Sequence, residues 1–389
     1  MPDFCIICEF NPLHGGHKFL IDQARSMGAD NVICVMSGNA TQRGELAVTD
    51  KYLRAEAAVK CGADLVLELP YPWCAASADF FATAAVSIAA CVGDVLLFGS
   101  ECGDVDLLTR AAKVCESAEF AEKYAQKTES GQGAATAYAE LLLEYGFDEL
   151  SSNDILGIAY IRAIDRLGVE LVPKTVKRRG SAYNDTCARE GQYPSATAVR
   201  QLIARGELDK LDALLPEPML EIIKREYEHG RLTDLKEAES AILGYLRLCP
   251  VENMTNVADN EGGLSNRIIS AAKSSATVEQ MFDALSTKRY TDAKLRRAVL
   301  FALTSVRAGA LRALPQYTLL LGASGKGREI LAKNRKTQSI RIITKPADAP
   351  KDSEQYELTE RLDSLYGLAR REKLTSDAML KKKAYISQK

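Results

Sequence analysis

The chain has 389 residues, 26% charged and 47% hydrophobic, a balance that excludes a disordered, fibrous or collagen-like protein and allows two domains with cores of their own. The formal charge of −2 hides an asymmetry: residues 286–345 hold fourteen Lys and Arg against two acids, a net +12, leaving −14 elsewhere. Residues 1–20 lack the basic and apolar regions of a secretory signal, and the apolar stretch 82–98 is broken by Gly93 and Asp94, so a cytoplasmic protein with no membrane partner is expected.

Phe4–Glu9 is a short apolar, β-branched run of the kind buried on both faces of a parallel sheet. A polar turn with Pro12, Gly15 and Gly16 follows, then a helix over about 17–27. Runs 31–36, 64–69 and 94–98 read as three further strands. Helices are expected over about 50–60, with Asp50 as cap, over 77–91, and over 104–118. Between them, 37–49 is a polar loop long enough to be functional. Strands at roughly thirty-residue intervals with helices between them predict an α/β fold with a doubly wound parallel sheet. The middle predicts helices over 119–128, 133–145 and 153–167, a strand over 170–176, and a helix over 196–205. Past Leu215-Pro216-Glu217-Pro218 helical periodicity dominates, at 219–229, 238–248, 264–273, 278–285 and 292–303, with a strand-like run at 340–344. The expected division is 1–210 and a mostly helical 211–389, with a solvated tail from Thr375. Ten scattered Cys read as reduced core thiols; Cys5 and Cys8 share one strand, with no second pair at zinc spacing. No metal site is expected.

The strongest chemical signal is Asn11-Pro12-Leu13-His14-Gly15-Gly16-His17, which leaves the first strand and opens a helix. A helix N-terminus presents unpaired N–H groups and a partial positive charge, and glycines let a phosphate approach the backbone. Imidazoles three residues apart share one face of the first turn. Together they form a donor-rich cradle for a triphosphate, and fixed donors around a phosphorus under attack stabilise the charge that builds there. Ordinary loop histidines or a zinc pair are the alternatives; zinc would want a third ligand, and none stands at a suggestive local spacing.

The string from Glu9 to His17 carries the His-x-Gly-His pattern and resembles the bacterial tRNA(Met) cytidine acetate ligase family, within the nucleotidyltransferase superfamily. The stretches 38–44 (GNATQRG), 62–70 (GADLVLELP), 98–101 (FGSE), 152–157 (SNDILG), 321–322 and 343–345 resemble the same family, so the likeness runs from about Phe4 to Lys345. Leu13 stands where Phe is common, and Asn184 where His is expected. The resemblance implies a Rossmann-like ATP-binding domain and a basic tRNA-binding region. It implies that acetate attacks the α-phosphorus of ATP, and that the acetyl group then passes to the exocyclic amine of the wobble cytidine of elongator tRNA(Met). ATP, with Mg²⁺, acetate and tRNA are the expected ligands; acetyl-CoA and a stable protein partner are not. Acetate is already ionised at neutral pH, so the first step needs positioning and charge neutralisation rather than a base.

By the resemblance, His14 and His17 are catalytic. ATP contacts are carried by Ile7, Cys8, Glu9, Phe10, Asn11, Pro12, Leu13, His14, Gly15, Gly16, His17, Lys18, Phe19 and Leu20, with Gly99, Asn153, Arg178 and Arg179. Gly99 ends the fourth strand, where doubly wound sheets bind ligands, or is a plain turn glycine. Asn153 reads adenosine or caps its helix; Arg178 and Arg179 neutralise phosphate or form a solvated loop. Pro194-Ser195-Ala196-Thr197-Ala198-Val199-Arg200 resembles the second superfamily motif, so Ser195, Thr197 and Arg200 are phosphate candidates, or a capped helix with an exposed Arg. For tRNA the candidates are Lys288, Arg289, Arg296, Arg297, Lys326, Arg328, Lys333, Arg335 and Lys336, with Tyr290 and Tyr317 able to stack on bases. The rival reading is a small-molecule adenylyltransferase acting on a phosphorylated metabolite, which would have no need of the basic extension. A non-catalytic RNA-binding protein would have no need of both histidines.

Overall fold

The computed structural model describes residues 1–148, 150–178, 193, 195–260, 263–287, 289–334 and 339–387. The first half alternates as expected: β1 (Phe4–Cys8), α1 (Gly15–Ser26), β2 (Val32–Ser37), α2 (Lys51–Lys60), β3 (Leu65–Leu69), α3 (Ala78–Ala89) and β4 (Val95–Ser100). Then come α4 (Val105–Cys115), α5 (Ala118–Glu129), α6 (Ala134–Glu144), α7 (Ser152–Leu167), β5 (Val172–Lys177) and α8 (Ala196–Ala204). Beyond them lie α9 (Glu217–Glu228), α10 (Glu239–Leu248), α11 (Leu264–Ser274), α12 (Val278–Leu285) and α13 (Asp292–Thr304). The chain closes with β6 (Tyr317–Ala323), α14 (Gly325–Asn334), β7 (Arg341–Ile343), α15 (Glu354–Leu368) and β8 (Tyr385–Ile386).

The strands order β5-β4-β1-β2-β3-β6-β7, with β8 beside β6. β1 pairs in parallel with both β2 and β4, so the chain winds outward through β2 and β3, then crosses back to β4 and β5. The strand order reverses between β1 and β4. Their carboxyl ends therefore open the crevice where doubly wound sheets take their ligands. β1, β2 and β3 are buried along their whole length, which explains their near-continuous apolar sequences.

The C-terminal half is less separate than its helical texture predicts. β6 extends the N-terminal sheet by pairing antiparallel to β3, from Leu65 opposite Ala323 to Leu67 opposite Leu320. The sheet thus draws strands from both sides of the expected boundary at residue 210. β6 and α15 have no counterpart among the sequence expectations. The Leu-rich run in β6 satisfies helix and strand alike, and only burial beside β3 decides it. α15 did carry a signal: Ser353 accepts from the Tyr356 N–H, and Glu354 and Glu357 sit in its first turn. The described part of the tail is anchored at a few points while most of its residues stay partly or fully exposed. Met379 is buried, Tyr385 pairs with Gly322, and Lys382 reaches Asp50 at 3.3 Å.

Candidate functional site

The cleft at the carboxyl ends of β1, β4 and β5 is lined by His14, His17, Leu20, Gly99, Arg178 and Tyr193, among others. His14 is the N-cap of α1, in extended backbone, and His17 is the third residue of that helix. Nδ1 of His14 accepts from the Gly16 N–H at 3.1 Å, and Nδ1 of His17 accepts from the His14 N–H at 3.2 Å. The pair forms a capping box built from imidazoles. The rings stack with centroids 3.9 Å apart, and Phe10 meets the His17 ring edge-on at 5.1 Å. A side chain at Gly16 would touch the His14 ring at 3.0 Å, so the glycine first makes room for the histidine.

Because both Nδ1 atoms accept, each neutral ring carries its proton on Nε2 and presents an N–H donor away from the backbone. Burial, then the charges of Arg178 and Arg200, push the His14 ring down to about 3. Burial, then His14 and Arg178, hold His17 well below the ordinary imidazole range. At neutral pH the pair is uncharged and acts through preset hydrogen-bond donors; positive charge comes from the arginines.

Arg178 leaves the end of β5 and lies over Gly99, where an added methyl would sit 3.1 Å from its Cγ. Its Nε is 3.4 Å from Glu101 and its Nη1 donates to Asn153 at 3.5 Å. Asn153 donates to Glu101 at 2.5 Å. Asn153 is therefore not the cap of α7: Ser151 and Asp154 form that capping box. Glu101 was not among the expected site residues, and it holds Arg178 and Asn153 together.

Gly16 and Phe19 also line the cleft, while most of the remaining motif residues support it. Ile7 and Cys8 lie in the β1 core, Leu13 is buried, and Lys18 pairs with Asp22 on the helix surface at 2.6 Å. Phe10 holds a positive φ of 47°, a strained position of the sort found where a loop is fixed for function. Glu9 accepts from the Gln42 N–H at 2.7 Å, and Asn11 accepts from the Val48 N–H at 2.7 Å. These bonds lock the loop after β2 to the motif. Nδ2 of Asn11 is buried with no hydrogen-bond partner among the described residues.

Sequence reasoning missed Arg54, which lies wholly buried in α2. It donates to the carbonyls of Thr49 (3.0 Å), Glu9 (2.6 Å) and Ser37 (3.1 Å) and also to that of Gly38. One guanidinium thus ties the carboxyl ends of β1 and β2 to their loop. Nothing local in the sequence distinguishes it from any helix-surface arginine.

Ser195 caps α8 through the Ala198 N–H at 3.1 Å. Arg200 donates to the Asn11 carbonyl at 3.0 Å, to Glu45 at 2.9 Å and to Thr197 at 3.4 Å. The other Glu45 oxygen accepts from Arg296 at 3.2 Å, and Arg297 pairs with Asp259 at 2.5 Å. Gly44, at φ 72°, lets the loop press on α13, where any side chain would sit 2.4 Å from the Arg297 nitrogen. The two arginines are therefore joined to the loop of 37–49 and to Asp259 rather than forming a bare stripe. Arg289 and Lys294 flank Tyr290, 5.4 and 5.5 Å from its ring. Tyr317 is buried in β6 and cannot stack on a base. Lys326, Arg328 and Lys333 ride on α14 at the opposite edge of the sheet. Arg179, Asn184, Pro194, Lys288, Arg335 and Lys336 lie outside the described residues. Among the described residues no three His, Cys, Asp or Glu side chains gather as a metal cluster, and no helix is long and apolar enough to cross a membrane.

Residues 1–381 match the family described as HIGH Nucleotidyl Transferase. The chain is 34% identical over 365 residues to the tRNA(Met) cytidine acetate ligase of Acetivibrio thermocellus, covering 88% of each. It is 34% identical over 371 residues to that of Caldanaerobacter subterraneus subsp. tengcongensis, covering 92% of each. Among solved structures it is similar to apo Thermotoga maritima TmcAL, with a TM-score of 0.91, and to the same protein bound with alpha-thio ATP, at 0.88. Both are 29% identical and cover 99% of each chain.

Proposed function

We propose, from the premise that this chain belongs to the tRNA(Met) cytidine acetate ligases within the HIGH nucleotidyl transferase family, that it couples ATP to acetylation of the wobble cytidine of elongator tRNA(Met). The observation that carries this reading is the stacked, neutral His14–His17 pair, set by its own helix cap at the β1/β4 switch point and flanked by Arg178.

An acetate oxygen attacks the α-phosphorus, forming acetyl-adenylate and releasing pyrophosphate. Both Nε2–H donors meet phosphate oxygens. Arg178, oriented by Glu101 and Asn153, offsets charge on the transferring group. Neutral rings suit this task because each donates its Nε2–H in a hydrogen bond without releasing it as an acid. Mg²⁺ would be carried by the triphosphate oxygens, its usual place in nucleotide sites. The cytidine amine then attacks the acetyl carbonyl, loses a proton, and AMP leaves. No side-chain nucleophile enters either step.

The test is incubation with ATP, labelled acetate and total bacterial tRNA. Label in tRNA at an acetylated cytidine, with AMP and pyrophosphate as products, is expected. Unlabelled RNA with adenylation of a small phosphorylated metabolite would replace this reading with the adenylyltransferase one.

A further inference from the structure

A groove of about 550 Å³ runs between the α5–α6 hairpin, the first turns of α3 and α7, and the start of α13. Its wall includes Arg297, which reaches the Gln42 carbonyl in the loop after β2, so the groove opens at the same carboxyl edge of the sheet as the catalytic cleft. Three tyrosines line it, Tyr124, Tyr138 and Tyr290, together with Arg289 and Lys294. Both cations lie within 5.5 Å of the Tyr290 ring. Thr128, Gln132 and Thr136 add hydrogen-bonding groups able to meet base edges. The acid in the groove, Asp79, is already engaged by Arg162 at 3.1 Å, so it does not oppose an anion at the far wall.

Aromatic faces for unstacked bases, cations for phosphates and polar groups for base edges are the chemistry of single-stranded RNA recognition. A volume of this size takes a splayed nucleotide, not a base-paired stem. We infer that this groove holds the loop nucleotides flanking the cytidine that enters the catalytic cleft, with Tyr290 as stacking platform and Arg289 and Lys294 as phosphate contacts. The inference rests on the function proposed above and adds where the RNA lies.

The test compares the double variant Arg289→Glu/Lys294→Glu, and separately Tyr290→Ala, with the unaltered protein and with Lys326→Glu/Lys333→Glu on the opposite sheet edge. Acetate-dependent exchange of pyrophosphate into ATP reports the first step without RNA, and labelled acetyl transfer reports the second. The groove variants should keep exchange within about twofold and raise the KM for tRNA by about tenfold or more, with a salt slope of binding shallower by about two for the double variant. The α14 variant should match the unaltered protein. Unchanged tRNA KM in the groove variants, or a loss confined to the α14 variant, overturns the inference. Absence of exchange and transfer in the unaltered protein would instead sink the proposed function itself.

Discussion

At the carboxyl edge of the sheet, Arg296 and Arg297 meet the loop that follows β2, through Glu45 and the Gln42 carbonyl, and Arg289 and Lys294 stand nearby at the start of α13. At the amino edge, α14 begins where β6 ends, beside the start of β3. There the Ser324 N–H bonds the Asp64 carbonyl at 2.8 Å and Lys326 reaches the Asp30 carbonyl at 3.4 Å. The two basic groups are thus separated by the length of the sheet's strands, roughly 17 Å for five residues. Only the first group shares an edge with His14, His17 and Arg178. The difference teaches that residues adjacent in a basic stretch of sequence need not share a surface of the fold. An antiparallel strand at β6 was enough to carry Lys326, Arg328 and Lys333 to the far side.

If the carboxyl edge alone carries the chemistry, His14→Ala should slow acetate-dependent AMP formation by about 10²–10³, as for loss of one transition-state donor, and leave tRNA affinity within about twofold. Equal losses in rate and tRNA binding would mean that the two surfaces are not separable. The same edge should also dominate acid sensitivity. The His14 ring titrates near 6.5 when unfolded and at about 3 in the fold, so stability is full above pH 6.5 and falls as pH drops through that window. The loss approaches about 5 kcal/mol at most. Chemical denaturation between pH 7 and about 4 should therefore show a smaller decline for His14→Gln than for the unaltered protein; identical slopes would contradict the neutral pair.

A smaller effect is expected one layer out. Arg178→Ala should weaken ATP binding by about tenfold, the size of one charged hydrogen bond, while Lys326→Ala on α14 should leave it unchanged. Smallest is Gly99→Ala, which crowds Cγ of Arg178 and should weaken ATP binding by no more than about threefold, since a flexible side chain can give. Isothermal titration with a non-hydrolysable ATP analogue measures both.

Much of the molecule was legible along the chain because it depends on neighbours in sequence. The parallel strands announce themselves as apolar runs, and the histidine pair works through backbone N–H groups two and three residues away, so its spacing alone determines its geometry. The Asp50 and Ser195 caps are local for the same reason. What the tertiary structure decided involves partners far apart in the chain. Arg54 holds three segments through their carbonyls, Glu45 joins Arg200 to Arg296, Glu101 rather than a helix cap engages Asn153, and β6 joins a sheet begun some 250 residues earlier, where Thr318 bonds the Glu68 carbonyl. The physical reason is that a charged or apolar side chain has no preferred partner until burial removes water as the competitor, and burial is a property of the assembled fold.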